Sequence, residues 1–156
     1  MRIDLGRPLQ AQQLERFLRS GRGGRPGVRL SADSLVKRYA RTVLDLYELT
    51  LQESDSLLLS PAQVQALRTA QVAYREKMTA VWRELAEYLA ALPDTFSAAE
   101  ALRRQEASTD QAWEVSRLEG PTLKAILSPL QQRLLPGLVS YLINATGKVR
   151  IRYFTG

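Results

Sequence analysis

Leu59-Ser60-Pro61-Ala62-Gln63 and Leu127-Ser128-Pro129-Leu130-Gln131 share the pattern Leu-Ser-Pro-x-Gln, and this repeat decides the fold class. Each copy is a helix start. Serine can cap the helix, proline fits the first helical position because its missing N–H costs no hydrogen bond there, and glutamine can reach back to the cap. The leucine before each serine is placed for an apolar contact with the first turn. The repeat therefore predicts helices beginning at 61 and 129.

The first of these helices is predicted to be long, from Pro61 to about Leu92. Mostly apolar residues form a stripe along one side of this helix. Their spacings alternate between three and four residues, which is typical of a helix packed along one partner. Gln71 is the polar residue of the stripe, and it either fixes the register or lies at the edge. We expect the partner to be an antiparallel helix over 32–57, capped by Ser31, because the connection is short. The stripe consists of Val64, Leu67, Gln71, Tyr74, Met78, Val81, Leu85, Tyr88 and Leu92.

Shorter helices are predicted in the second half of the chain, over 98–119, 122–127 and 129–143. Ser97 and Glu100 have the spacing of a capping box at the first of them. Gly120-Pro121 separates the first from the second. We expect the last helix to be kinked or divided near Pro136-Gly137.

The two ends of the chain alternate polar and apolar residues, at 1–5 and at 148–154, which predicts two short strands that could pair. The fold expected is thus mainly α: a long antiparallel helical hairpin packed by further helices, with a small strand pair from the two termini. We expect a single domain over 1–156. Its parts are a basic strand, helix and Gly-rich loop in 1–30, a helical core in 31–147 and a C-terminal strand in 148–156.

The residue types argue against an active site. The chain has 156 residues with no Cys and no His, which removes thiol nucleophiles, imidazole acid–base catalysis and zinc sites with nitrogen or sulfur ligands. No Gly-rich stretch matches a phosphate-binding or dinucleotide-binding fingerprint. Carboxylates such as Glu84 and Glu87 are expected on the solvent face. We therefore expect a non-enzymatic protein with no catalytic residues, no cofactor and no metal.

Charge is unevenly distributed, with a net +7 over residues 1–41, −6 over 42–119 and +5 over 120–156. One interpretation is that the basic ends lie against the acidic helices of the same molecule, since charge runs usually mark solvated or self-complementary faces. The other is a cationic patch for a phosphate-bearing partner. The residues that could bind such an anionic partner are Arg22, Arg25, Arg29, Lys148, Arg150 and Arg152.

The repeated helix start resembles the hallmark of periplasmic helical proteins of the Spy/CpxP type. In that family a Leu-Thr-x-x-Gln phrase opens each helix of an α-hairpin fold. Here Ser60 and Ser128 stand in place of the threonine, which keeps the cap. The resemblance covers about 45–145, and it implies an ATP-independent chaperone or a stress-sensor partner.

Four further phrases carry a second resemblance: Asp4-Leu5-Gly6-Arg7-Pro8, residues 52–59, Ala101-Leu102-Arg103-Arg104-Gln105-Glu106 and residues 147–152. They cover more of the chain and resemble the C-terminal helical extension of TonB-dependent receptor-like outer-membrane proteins. This resemblance implies that residues 1–5 continue a barrel strand and that the helical part lies in the periplasm. No plug, TonB box or barrel is present in the sequence, so no transport activity is implied.

We therefore expect a non-enzymatic periplasmic helical accessory or interaction domain, associated with an outer-membrane receptor-like protein or acting as a Spy-like ATP-independent chaperone. The alternative is a basic helical protein that binds nucleic acid or a ribonucleoprotein. The expected partner is a protein: its own parent chain, an outer-membrane protein or an unfolded client. No apolar run is long enough for a membrane span. If Met1 is the true start, the cytoplasm is expected instead, because a signal-peptide pattern is lacking. The oligomeric state is left open.

Overall fold

A computed structural model describes residues 30–93 and 96–146, and within these two ranges the protein is all-α, without a strand. The strands predicted at 1–5 and 148–154, and the N-terminal helix and Gly-rich loop, lie outside the described residues. No helix in the described part is long and apolar enough to cross a membrane. The helices are α1 Ala32–Tyr39, α2 Leu46–Gln52, α3 Pro61–Ala90, α4 Ala98–Leu118, α5 Gly120–Ile126, α6 Pro129–Arg133 and α7 Gly137–Asn144.

The helices contribute to two compact units. In the described ranges, unit 1 comprises 30–43, 79–93 and 96–112, and unit 2 comprises 44–78 and 113–146. The single domain predicted over 1–156 stays a prediction. The long helices α3 and α4 contribute to both units and pack antiparallel. In unit 1, Arg104 of α4 lies over the ring of Tyr88 of α3, and in unit 2 the hydroxyls of Tyr74 and Ser116 hydrogen-bond.

The prediction that residues 32–57 form one continuous helix is wrong, although the stretch does pack on α3, through Tyr39 and Trp82 in unit 1 and through Tyr47 and Tyr74 in unit 2. This stretch forms two short helices, α1 and α2, separated by a turn at 40–45. The amide of Thr42 bonds to the carbonyl of Tyr39 within that turn. Asp45 then starts a new helix, since its Oδ1 accepts hydrogen bonds from the amides of Tyr47 and Glu48 at 3.0 Å each. The long antiparallel partner of α3 is α4, which follows after a short connection.

The predicted stripe of α3 coincides with most of its buried face. Six of its residues are buried and the two at the ends of α3, together with Leu92 beyond it, are half-buried. The buried face is wider than predicted in unit 1, where Trp82, Ala86 and Leu89 are also fully buried. This width indicates contact on more than one side, whereas a seam against a single helix would bury only the stripe.

In unit 1, α1 packs on α3 through aromatic and polar contacts. The rings of Tyr39 and Trp82 stack with centroids 5.5 Å apart. The Tyr39 hydroxyl donates to Oε1 of Gln105 of α4 at 2.5 Å, so both polar groups are satisfied in the core. At the surface, the Arg83 guanidinium lies 2.6 Å from the Asp33 carboxylate.

The helices of the second half begin and end close to the predicted residues. The amide of Glu100 donates to the Ser97 hydroxyl at the start of α4. Glu119 lies in a turn between α4 and α5, and the predicted last helix is divided into α6 and α7 before Gly137. Gly120 lets α5 approach α7 closely, because a Cβ at this position would lie 3.0 Å from the carbonyl oxygen of Ile143.

Candidate functional site

Both copies of the repeat cap a helix in unit 2. At α3, the Ser60 hydroxyl accepts from the Gln63 amide at 3.1 Å, and the Ser60 amide donates to Gln63 Oε1 at 2.9 Å. At α6, the Ser128 hydroxyl accepts from the Gln131 amide at 3.2 Å, and the Ser128 amide donates to Gln131 Oε1 at 2.9 Å. Each copy is thus a reciprocal capping box that satisfies amides which a helix start leaves without partners.

The two capping boxes contact each other through their glutamines. Gln63 Nε2 donates to Gln131 Oε1 at 2.7 Å, and Gln131 Nε2 donates to Gln63 Oε1 at 3.1 Å. The second N–H of each amide bonds to a backbone carbonyl, that of Ile126 for Gln63 and that of Leu57 for Gln131, both at 3.0 Å. Each glutamine amide therefore makes four hydrogen bonds, which uses the full capacity of both atoms.

The turn that leads into α3 has an unusual backbone at Leu58. Its φ is +52°, in the left-handed region that glycine adopts most easily. The amide of Leu59 bonds to the carbonyl of Ser54, and the amide of Leu58 to the carbonyl of Asp55. This is the bonding pattern of a Schellman turn, with Leu58 at the position where glycine is usual. A leucine there is strained, and its side chain is 84% exposed.

Exposed leucines lie close to the paired glutamines. Leu58 follows directly after Leu57, whose carbonyl bonds to Gln131, while Leu130 directly precedes Gln131 and Leu134 lies three residues after it. Leu130 is 65% and Leu134 57% exposed, and they stand one helical turn apart. We call Leu58, Leu130 and Leu134 the cap surface. It combines exposed apolar side chains with a hydrogen-bonded frame that holds the backbone beneath them.

A buried polar network lies elsewhere in unit 2. The Tyr47 hydroxyl donates to Oε2 of buried Glu119 at 2.6 Å, and Lys77 Nζ lies 3.4 Å from Oε1 of the same carboxylate. Gln71 is buried, and its Nε2 donates to Asp45 Oδ2 at 3.1 Å and to Glu48 Oε2 at 3.0 Å. Gln71 thus connects α3 to the start of α2, which agrees with a role in fixing register.

Tyr47 of this network and Tyr74, whose ring lies 5.6 Å from that of Tyr47, are held protonated by their surroundings. Burial raises the pKa of Tyr74 to about 12. Burial, together with the hydrogen bond to the Glu119 carboxylate, raises the pKa of Tyr47 as well. Both effects disfavour the phenolate, because a buried charge lacks solvation and a neighbouring carboxylate repels it. The hydroxyls therefore stay protonated and serve as structural hydrogen-bonding groups over the ordinary pH range.

The repeat residues all fall within the described part of the chain. Leu127 is buried and Leu59 half-buried, both glutamines are half-buried, and the serines and prolines are exposed. The residues predicted to bind an anionic partner, Arg22, Arg25, Arg29, Lys148, Arg150 and Arg152, lie outside the described residues. Their exposure or self-neutralisation therefore stays a prediction.

Two features of the site were not predicted. The contact between the two glutamines joins residues 68 positions apart, although the identical spacing of Ser and Gln in the two copies could have suggested a symmetric pair. The left-handed Leu58 has no signal in the sequence, since no glycine, asparagine or aspartate marks the position. Within 30–93 and 96–146, no group of three or more carboxylates could hold a metal ion.

Comparison of the chain with protein-family models, with curated proteins and with solved structures finds no match. The chemistry of the site therefore rests on the geometry alone.

Proposed function

We propose that this chain is a non-enzymatic protein-interaction domain that holds apolar segments of other polypeptides without ATP, in the manner expected of a Spy-like chaperone of the cell envelope. One observation carries the proposal. Among residues 30–93 and 96–146, the large apolar side chains that are mostly exposed all lie in unit 2. Exposed apolar side chains that lie near one another are typical of protein interaction sites, and the bond between Leu57 and Gln131 brings the backbone at Leu58 near that at Leu130.

The cap surface is the best-defined part of this exposed apolar surface. Leu130 lies on α6 and Leu134 is the residue that directly follows it, and α6 has no buried residue of its own. The first turn of α6 is held by the Ser128–Gln131 capping box and by the pairing of Gln131 with Gln63. A frame of this kind keeps the leucines in position before a partner arrives, which lowers the entropy lost on binding.

An aggregation assay tests the proposal. The full chain at equimolar ratio should suppress light scattering by a thermally unfolding client enzyme in the absence of ATP. The double variant Leu130→Ser/Leu134→Ser should lose most of this suppression while keeping its melting temperature, because both side chains are exposed. The matched control is Val72→Ser, which changes an exposed apolar residue of α3 about 16 Å along the helix from Pro61. Absence of suppression by the unaltered chain, or full suppression by the double variant, would contradict the proposal.

The cellular setting and the nucleic-acid alternative stay predictions. Attachment to an outer-membrane receptor-like protein and location in the periplasm depend on the resemblances alone, and cell fractionation tests them. Several described cations are paired with carboxylates, as Arg75 is with Asp45 and Arg83 with Asp33. Nucleic-acid binding by the basic ends predicts an affinity for single-stranded RNA or duplex DNA that falls steeply with salt.

A further inference from the structure

Charged residues of opposite sign flank the cap surface along the chain. The turn before α3 carries the carboxylates of Glu53 and Asp55, which precede Leu58. The side of α5 and α6 carries Lys124 and Arg133. Hydrogen bonds hold these segments together, because Gln131 bonds to the carbonyl of Leu57, while its neighbour Gln132 bonds to the carbonyl of Lys124 at 3.1 Å. Residues 120–146 contain no acidic residue, so the second side is wholly basic.

These four charged residues are exposed, and none of them has a salt bridge with another described residue. Their state differs from that of other charges in the same unit. Arg75 lies 2.8 Å from Asp45, and Lys77 lies 3.4 Å from Glu119. The charges beside the cap surface are therefore available for a partner.

The arrangement is self-complementary. A two-fold axis through an apolar centre with acidic residues on one side and basic residues on the other brings each acidic side opposite a basic side. A partner with a single sign of charge would instead be repelled by one of the two sides. We propose that a second copy of this chain binds the cap surface, forming an isologous homodimer through Leu58, Leu130 and Leu134.

Leu58 supports the same inference independently of charge. Its left-handed backbone costs about 1–2 kcal/mol relative to an unstrained residue, and glycine would avoid that cost. The side chain gains no burial within unit 2, because it is 84% exposed. Strain that the folded chain does not offset points to a use of the residue outside the chain. Burial of the Leu58 side chain against a second copy would offset the cost of its left-handed backbone.

The inference rests on the proposed function in one respect, since the homodimer and a client would use the same surface. The expected interface is small, because three leucines with flanking charges cover less than a standard interface. The dimer is therefore expected to dissociate readily and to yield the surface to clients. Self-association would then be the resting state of the interaction domain, and client binding would replace it.

Charge reversal tests the dimer without any client. Variant P carries Glu53→Lys and Asp55→Lys, so that both sides are basic, and variant N carries Lys124→Glu and Arg133→Glu, so that both are acidic. Sedimentation velocity over a concentration series should show the unaltered chain as a monomer–dimer equilibrium. Variants P and N should each self-associate at least about tenfold more weakly, since like charges then face each other. An equimolar mixture of P and N should form a heterodimer within about threefold of the original affinity.

Two results would overturn the proposal: a chain that stays monomeric at every concentration, or a mixture of P and N that stays monomeric while both variants keep their melting temperatures. The variant Leu130→Ser/Leu134→Ser should also abolish self-association, and a dimer that survives it would place the interface elsewhere and contradict the proposal. A monomer that still suppresses client aggregation refutes the homodimer and leaves the proposed function standing. A dimer that does not suppress client aggregation refutes the proposed function and leaves the homodimer standing.

Discussion

The side-chain amides of Gln63 and Gln131 hydrogen-bond to each other in both directions, with N–O distances of 2.7 and 3.1 Å. The same two oxygens also accept the backbone amides of Ser60 and Ser128. The start of α3 and the start of α6 are therefore one hydrogen-bonded structure. A change at either helix start should therefore alter the stability of the other. The residues of the cap surface are adjacent to this structure.

Loss of one glutamine amide should destabilise unit 2. Gln131→Ala removes the bonds to Ser128, Gln63 and Leu57, and leaves Gln63 with half of its partners. Because the site is only half-buried, water replaces part of what is lost, and we expect unfolding to become easier by about 2 kcal/mol. Chemical denaturation followed by circular dichroism measures the change. The control is Gln65→Ala, an exposed residue of α3, which should shift stability by less than about 0.5 kcal/mol. Equal effects of the two substitutions would contradict the prediction.

Leu58→Gly should stabilise the monomer. Glycine adopts a φ of +52° without the Cβ clash, although it also increases the entropy of the unfolded chain, so the net gain should be about 1 kcal/mol. Leu58→Ala keeps the strain and loses only an exposed side chain, so its stability should be almost unchanged. Thermal melts at low protein concentration, where any dimer has dissociated, compare the two. A glycine variant less stable than the alanine variant would be the opposite of what the backbone implies.

The buried carboxylate of Glu119 should be needed for the stability of unit 2. Glu119→Ala removes the acceptor of the Tyr47 hydroxyl and the partner of Lys77, and leaves a cavity. We expect a loss of about 2–4 kcal/mol. Glu119→Gln keeps an oxygen that can accept from Tyr47 and should cost about 1 kcal/mol. Denaturant titration distinguishes the two, and a glutamine variant as unstable as the alanine variant would show that the hydrogen bond to Tyr47 is not the main contribution.

Stability should fall in alkaline solution. In the unfolded chain tyrosines lose their protons near pH 10, whereas the pKa of folded Tyr74 is about 12, and burial also raises the pKa of Tyr39 and Tyr47. Above about pH 10 the unfolded state therefore binds fewer protons than the folded state, so the free energy of unfolding decreases from there towards pH 12 and beyond.

Melting temperatures measured between pH 8 and 12 check this prediction. Tyr74→Phe should flatten the alkaline decline, while its neutral-pH stability drops because the hydrogen bond to Ser116 is lost. Tyr141→Phe, at an exposed position, is the control and should leave the profile unchanged. A stability that is constant up to pH 12 would contradict the burial of these hydroxyls.

A charge on the buried face of α3 should unfold unit 1. Leu85→Asp buries a carboxylate among apolar side chains and should cost about 4 kcal/mol or more. Ala80→Asp introduces the same residue on the exposed side of α3 and should cost only about 0.7 kcal/mol, through helix propensity. Retention of a cooperative melt by the Leu85 variant at an unchanged temperature would mean that the helix face is assigned wrongly.

The sequence predicted the features that depend on local chemistry. The helix starts at Ser60, Ser97 and Ser128 are visible because a cap needs only neighbouring residues. The buried stripe of α3 is visible because its spacing repeats over many turns. The interruption at Gly120-Pro121 and the division near Gly137 follow from residues that disfavour a continuous helix.

Features that depend on distant partners were not predictable. The stretch 32–57 has apolar residues at helical spacing, yet Asp45 caps a new helix there and receives Gln71 and Arg75 from α3. The position of α4 depends on polar residues that hydrogen-bond to tyrosine hydroxyls of distant helices: Gln105 bonds to Tyr39 of α1, and Ser116 bonds to Tyr74 of α3. From the sequence alone, polar residues at such positions are expected to face solvent.

The most direct test of the paired helix starts is a double-mutant cycle at Gln63 and Gln131. The stabilities of Gln63→Ala, Gln131→Ala and the double variant are measured by denaturant titration alongside the unaltered chain. If the two amides bond to each other, the double variant should be less damaged than the sum of the single variants, with a coupling energy of about 1 kcal/mol or more. Effects that add to within about 0.3 kcal/mol would show that the two helix starts are independent, and would remove the frame on which the cap surface depends.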